Sequence, residues 1–253
     1  MNQLEYKAIE AKLNDQHASP LSLQEAKCLE SLVEKNISQV YSRESKVNDY
    51  IKNTLSNNFH VHRNLDSLKK FLKSEFKNRQ NIKMLDCGAG TGNFLYNFKD
   101  DTFFKVYNLD YCQQMADVWK NKGLPEDDFI ISDLNNIPFK NNSLEFISYR
   151  YVLHHIPYFV GLDAGITKHL KYAKTKLAEN GFIYIKTKYS KKDKVKIYKS
   201  GSSKGMLFQS LSKNSIKQTL KNLGFQIITI EIYSPKTHKI GKCIEILAKK
   251  TEV

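Results

Sequence analysis

Apolar residues in roughly the first eighty positions recur at helical spacing. In SLQEAKCLESLVEKNISQVYSRE, Leu23, Ala26, Leu29, Leu32, Val33, Ile37 and Val40 form one stripe, and Pro20 and Ser22 suit helix entry. NLDSLKKFLKSEFK repeats the pattern with Leu65, Leu68, Phe71, Leu72 and Phe76, behind Asn64 as a candidate N-cap. From residue 81 the period changes. NIKMLDCG, FKVYNLD, FIIS, LEFISYRY, GFIYIKTK, QIITIEIY and KCIEILAK read as seven strands. TGNFLYNFK, CQQMADVWKNKG, HLKYAKTKLAENG (ending at Gly181) and SIKQTLKNLGF read as helices. Strands separated by helices predict an α/β fold with a doubly wound, mostly parallel seven-stranded sheet and an N-terminal helical extension. The last two strands, joined by SPKTHKIG, predict a hairpin and so one antiparallel strand near the edge.

Composition changes this picture little. A chain of 253 residues suits one large domain, or one domain with an appendage. No apolar run approaches the roughly 18 residues of a membrane helix. The opening MNQLEYKAIEAK is too polar for a secretory signal. Cys28, Cys87, Cys112 and Cys243 are scattered, which suggests neither a disulfide framework nor a zinc site and favours a reducing, cytoplasmic setting. The net charge of +14 has two readings. It suits a polyanion such as RNA, or it reflects a bias toward Asn, Lys, Ile, Tyr and Phe. The basic run KYSKKDKVKIYKSGSSKG, between the fifth and sixth strands, is either an anion clamp or a solvated loop.

The candidate chemistry begins at MLDCGAGTGNF, residues 84–94. Gly88, Gly90 and Gly92 follow the first strand at alternate positions, over the crevice where an open α/β sheet binds its ligand. Three glycines imply a close approach to the backbone by a ligand or by the following helix. The dinucleotide pattern GxGxxG is not met, because Asn93 stands at its third glycine. A P-loop is absent as well.

DCGAGTG resembles the first motif of class I S-adenosylmethionine-dependent methyltransferases, and the resemblance continues in order over residues 60–250. It implies a Rossmann-like seven-stranded fold, S-adenosyl-L-methionine as cofactor with S-adenosyl-L-homocysteine as product, and no metal. NLDYCQQM is similar to the second motif, which makes Asp110 the ribose-binding acid, with Tyr111 beside it on the cofactor side. A carboxylate accepts two hydrogen bonds from a vicinal diol. ISDLNNIPFKNNSLEFI resembles the third and fourth motifs, so Asp133 is expected at the adenine amine with Leu134 packed nearby. Asp86 is expected to hold the loop near the methionine amine. Ala89 and Gly90 are expected to let the methionine and ribose lie against the backbone.

YVLHHIPY is similar to a sequence carried after the fourth strand by many small-molecule methyltransferases. His154 or His155 is therefore a candidate general base for a hydroxyl acceptor, the alternative being a packing histidine. Arg150 is a candidate for pairing an anionic substrate group, or a salt bridge at the rim. Tyr149 and Tyr151 should point to opposite faces, and one of them to the pocket. No Asn/Asp-Pro-Pro-aromatic motif is present, which argues against an exocyclic base amine as acceptor. Residues 1–62 are expected to be a helical lid, with Tyr41, Tyr50 and Arg63 as candidates and Arg63 as a possible grip on the methionine carboxylate. Residues 63–253 are expected to form the cofactor-binding domain, with a substrate-cap loop at 189–208. Three functions follow: methylation of a small molecule or natural-product intermediate at O, N or C; tRNA modification; or a cofactor-binding partner subunit without catalysis.

Overall fold

In a computed structural model of the chain, residues 3–15, 21–56, 65–159, 161–198, 204–234 and 241–251 are described. Four helices come first: α1 (Gln3–Asn14), α2 (Leu23–Tyr41), α3 (Glu44–Ser56) and α4 (Leu65–Glu75). The expected domain boundary at residue 62 lies outside the described residues. α2 opens on a capping box in which Ser22 Oγ accepts from the Glu25 amide and the Glu25 carboxylate accepts from the Ser22 amide. Its buried side is Ala26, Glu30, Val33, Asn36 and Val40, whereas Leu23 and Leu32 of the expected stripe are exposed. Polar residues on the inner side mean that α2 covers more than apolar core. Among the described residues, no helix is long and apolar enough to cross a membrane.

Next come β1 (Ile82–Cys87), β2 (Phe104–Asp110), α5 (Gln113–Asn121), β3 (Phe129–Ile131), β4 (Leu144–Arg150), α6 (Gly165–Lys176) and β5 (Leu177–Lys188). The chain closes with β6 (Lys194–Ile197), β7 (Leu207–Ser210), α7 (Lys213–Asn222), β8 (Phe225–Tyr233) and β9 (Cys243–Lys250). Seven strands make one sheet in the order β3-β2-β1-β4-β5-β9-β8. β1 to β5 pair in parallel, and β9 runs antiparallel to β5 and β8, as the hairpin pattern predicts. Along β1, Leu85 and Cys87 join a core with Leu170 and Ala173 of α6, while Ile82 and Met84 join another with Leu72 of α4 and Phe76 just beyond it. Cover on both faces is why these strands read as nearly continuous apolar runs. Strand order reverses between β1 and β4, so their carboxyl ends open a crevice.

Three expectations need correction. TGNFLYNFK is not an α-helix but turns with a 3-10 segment, Leu95–Phe98. The Asn97 side chain bonds the Asn93 and Phe94 carbonyls at 2.8 and 3.1 Å, a local alternative to the helical ladder. α6 stops at Lys176 instead of running to Gly181. Leu177 is fully buried and pairs with Leu144, so core burial pulls it into β5. The basic run contains strand β6, which pairs antiparallel with β7. β6 alternates exposed Lys194 and Lys196 with buried Val195 and Ile197. Those two side chains and Leu207 pack against Ile9 and Val33 of the N-terminal helices.

Candidate active site

The chain leaves β1 through Gly88, Gly90 and Gly92 at φ 67°, 54° and 72°. A Cβ on Gly92 would lie 2.5 Å from Trp119 Cε3, and one on Gly88 would lie 2.6 Å from Val152 Cγ2. Gly92 is thus required by the packing of α5, and Gly88 by the segment after β4. Gly88 and Gly90 also line the cavity above the loop; Ala89 and Gly92 do not. Asn93 is anchored by Lys122, whose Nζ donates to Asn93 Oδ1 at 2.6 Å and to the Thr91 carbonyl at 2.9 Å.

Asp110 crosses from β2 to this loop. Its Oδ2 accepts from the Gly90 amide at 2.8 Å and its Oδ1 from the Cys112 amide at 3.0 Å. Each oxygen keeps a lone pair for a further donor. Burial pushes the Asp110 pKa up, against the pull of these amides. Tyr111, Asp133 and Leu134 line the same wall. Asp133 is exposed, and its Oδ1 is fixed by the Asn135 amide and side chain at 2.7 and 2.8 Å.

Asp86 lies behind the loop, not on the cavity wall. Ser148 Oγ donates to its Oδ1 at 2.6 Å. Burial pushes its carboxyl up to about 6, offset in part by Arg150 and Ser148. The Arg150 guanidinium reaches the cavity 4.4 Å from the Phe94 ring centroid. Its Nε and Nη2 are buried and have no hydrogen-bond partner among the described residues. Leaving such donors unfilled costs about 1–3 kcal/mol each. Arg63 and the side chain of Tyr50 lie outside the described residues.

The cavity, about 770 Å³, continues past the loop to a second wall. There α2 contributes Glu34, Ile37, Ser38 and Tyr41, and α3 contributes Lys46. His155 is fixed from both sides. Its Nδ1 lies 3.0 Å from the Leu207 carbonyl, which can only accept, so Nδ1 carries the proton. Nε2 is then the acceptor, with the Tyr41 hydroxyl at 3.4 Å donating to it. Burial, with Lys188 and Lys46 nearby, lowers the His155 pKa to about 4. His154 is driven lower than its ordinary value by burial and its ring stacks on Phe208, with centroids 5.2 Å apart.

Of the tyrosine pair, Tyr149 is fully buried in the core and does not reach the cavity, which corrects its expected place at the site. Both faces of β4 are covered, so alternation there separates two cores, not core from pocket. Tyr151 reaches the cavity because it has left the strand at φ 56°. A side chain that bulky seldom adopts this conformation outside functional sites. Sequence reasoning missed Glu34, Lys46, His169, Lys188 and Phe208, all on the cavity wall. Only alternation in LFQS, which sets Phe208 opposite Leu207, carried a signal. His169 Nε2 stands 3.9 and 3.7 Å from carboxylate oxygens of Glu30 and Glu34, and Lys168 donates to Glu30 at 3.2 Å. These pairs tie α2 to α6, and the imidazole keeps the Glu34 pKa below its ordinary value.

A family model described as a methyltransferase domain matches residues 58–230. The chain belongs to that family. It has the class I fold of S-adenosylmethionine-dependent methyltransferases. This methyltransferase matches no curated protein. Among solved structures it resembles the Burkholderia thailandensis 1,6-didemethyltoxoflavin-N1-methyltransferase, which holds 1,6-didemethyltoxoflavin and S-adenosylhomocysteine. The two share 13% identity over 94% of this chain and 98% of that one, with a TM-score of 0.60. A Leishmania major S-adenosylmethionine-dependent methyltransferase is 16% identical over 86% and 82% of the two chains, with a TM-score of 0.61. A Thermotoga maritima protein described as a possible histamine N-methyltransferase is 15% identical over 81% and 96%, with a TM-score of 0.57. At these identities the likeness speaks to fold.

Proposed function

We propose that this methyltransferase methylates a small molecule bound between α2 and β7. The observation that carries the reading is one continuous cavity joining the glycine loop to His155. Its volume of about 770 Å³ falls in the range of small-ligand sites. The neighbour solved with 1,6-didemethyltoxoflavin supports the small-molecule class.

The residues present fit the donor. The backbone at Gly88 and Gly90 leaves room for it, with Ala89 between them. Asp110, already aligned by two amides, would take the ribose hydroxyls. Asp133 and Leu134 would meet the adenine. Arg150 suits the carboxylate of the amino-acid end, because it holds buried unfilled donors on the cavity wall, and Asp86, behind the loop, would act on the amine only across that loop. When bound, S-adenosylmethionine supplies a methyl group on a positively charged sulfur. What remains for the protein is mainly orientation and exclusion of water. α2 and α3 form the covering wall. His155, neutral at pH 7, presents the Nε2 lone pair that Tyr41 now occupies. It accepts a hydrogen bond from the acceptor and aims it; with a pKa near 4 it is a weak base.

Calorimetry with S-adenosylhomocysteine tests the donor end. Transfer of tritiated methyl into fractions of a cell extract tests the acceptor. Label in small molecules is expected. Label in RNA alone would move the acceptor to tRNA, which the net charge of +14 also suits. Donor binding with no label in any fraction would mean a partner subunit without catalysis.

A further inference from the structure

Two lysines of β5 have opposite surroundings. Lys186 is buried and faces the Glu245 carboxylate at 3.8 Å. Lys188, two residues on, is half-buried on the cavity wall with Nζ 4.3 Å from the Phe208 ring centroid. Among the described residues its Nζ has no hydrogen bond and no carboxylate partner; Lys196 is a like-charged neighbour. A cation over a ring gains less than a charge-assisted hydrogen bond gives. Among the described residues of the rest of this wall, the carboxylate is that of Glu34. Lys46 adds a second cation from α3, and both histidines are neutral. The carboxylate of Glu34 is already faced by His169 at 3.7 Å. Around Lys188 the surfaces are flat: Phe208 with His154 stacked on it, and Tyr151 set edge-on to His154.

We propose that Lys188 is the anion-binding residue of the acceptor site, and that the acceptor is a small planar acid whose carboxylate pairs with Lys188 while its ring lies among Phe208, His154 and Tyr151. The proposal rests on the reading of this cavity as a methyl-transfer site. A carboxylate is favoured over a phosphate because this wall offers no guanidinium fork among the described residues.

The test is calorimetry on the full chain, in two stages. S-adenosylhomocysteine is titrated first into wild type and Lys188→Met, and the two affinities should agree within about twofold because Lys188 stands apart from the glycine loop. No heat with wild type would be a failure of the donor reading, seen before any acid is added. The loaded proteins are then titrated with benzoate, 4-hydroxybenzoate and indole-3-acetate, each against its amide. In wild type an acid should bind about tenfold or more tightly than its amide, a preference falling below about threefold in Lys188→Met and largely kept in Lys188→Arg. With the donor product bound, an amide equal to its acid, a preference that survives Lys188→Met, or no acid bound at all would overturn the proposal. So would binding of bulk tRNA that is lost in Lys188→Met, since that would assign the lysine to a phosphate.

Discussion

The two ends of the cavity are built by opposite means. At the proposed donor end the binding groups sit at the carboxyl ends of β2 and β4 and on the loops after β1 and β3, and backbone amides align the main carboxylate, Asp110. At the proposed acceptor end Tyr41, His155, Lys188 and Phe208 come from α2, the turn after β4, β5 and β7. His155 is oriented by the carbonyl of Leu207, whose side chain is held by Ile9 and Val33 of the N-terminal helices. The first end depends on backbone conformation close in sequence. The second depends on packing between distant segments. Disturbing α2 or β7 should therefore alter acceptor binding and leave donor binding alone.

The sharpest way to break this contrast is Asp110→Ala. It should weaken S-adenosylhomocysteine binding by about a hundredfold or more, since two hydrogen bonds to a charged group are lost. Circular dichroism should show the fold intact, and unchanged affinity would refute the ribose assignment. Gly92→Ala should cost about 2–4 kcal/mol in urea unfolding, because its Cβ would meet Trp119 at 2.5 Å and the backbone is left-handed. Arg150→Met should weaken S-adenosylhomocysteine by about ten- to a hundredfold yet spare 5′-methylthioadenosine, which lacks the amino-acid end. Equal losses for both would remove Arg150 from that end.

Acidity gives a fourth check. The Asp86 carboxylate forms above about pH 6, and from behind the loop its charge would favour a ligand ammonium. Donor affinity should rise from pH 5 to 7, by about threefold and less than the tenfold of a direct pair, and Asp86→Asn should flatten the rise. Stability carries the opposite sign for this group. Its folded pKa of about 6 exceeds the unfolded 3.8, so its contribution is favourable in acid and is lost as pH rises through 6. His155 is depressed to about 4 from 6.5, so its contribution is present above pH 6.5 and lost as pH falls toward 4. Each amounts to about 3 kcal/mol, and they offset one another. Asp86→Asn should then lose stability more steeply below pH 6.5 than wild type, as acid-dependent urea unfolding would record. The smallest effect belongs to Tyr41→Phe. Removing a 3.4 Å hydrogen bond should cost about 0.5–1 kcal/mol of stability and leave donor affinity within about twofold.

Residues with a local role were legible. The strands β1, β4 and β5 showed as apolar runs because both faces are covered. Asp110 was singled out by the likeness of NLDYCQQM to a family motif, and the β8–β9 hairpin by a short connection. Residues whose role depends on a distant partner were not legible. The run around β6 looked like a charged loop because its lysines face solvent, while Val195 and Ile197 find their apolar cover about 160 to 190 residues away on α1 and α2. Tyr149 and Tyr151 looked equivalent until one positive φ turned Tyr151 out of the strand.

Sequence alone determined the sheet class and the glycine turn, because backbone geometry and period-two burial act between near neighbours. Tertiary structure alone decided which tyrosine meets the cavity, which histidine nitrogen accepts, and that Lys188 lacks, among the described residues, the carboxylate given to Lys186. Those outcomes depend on desolvation and on partners contributed by distant segments, and neither is encoded at the residue that feels them.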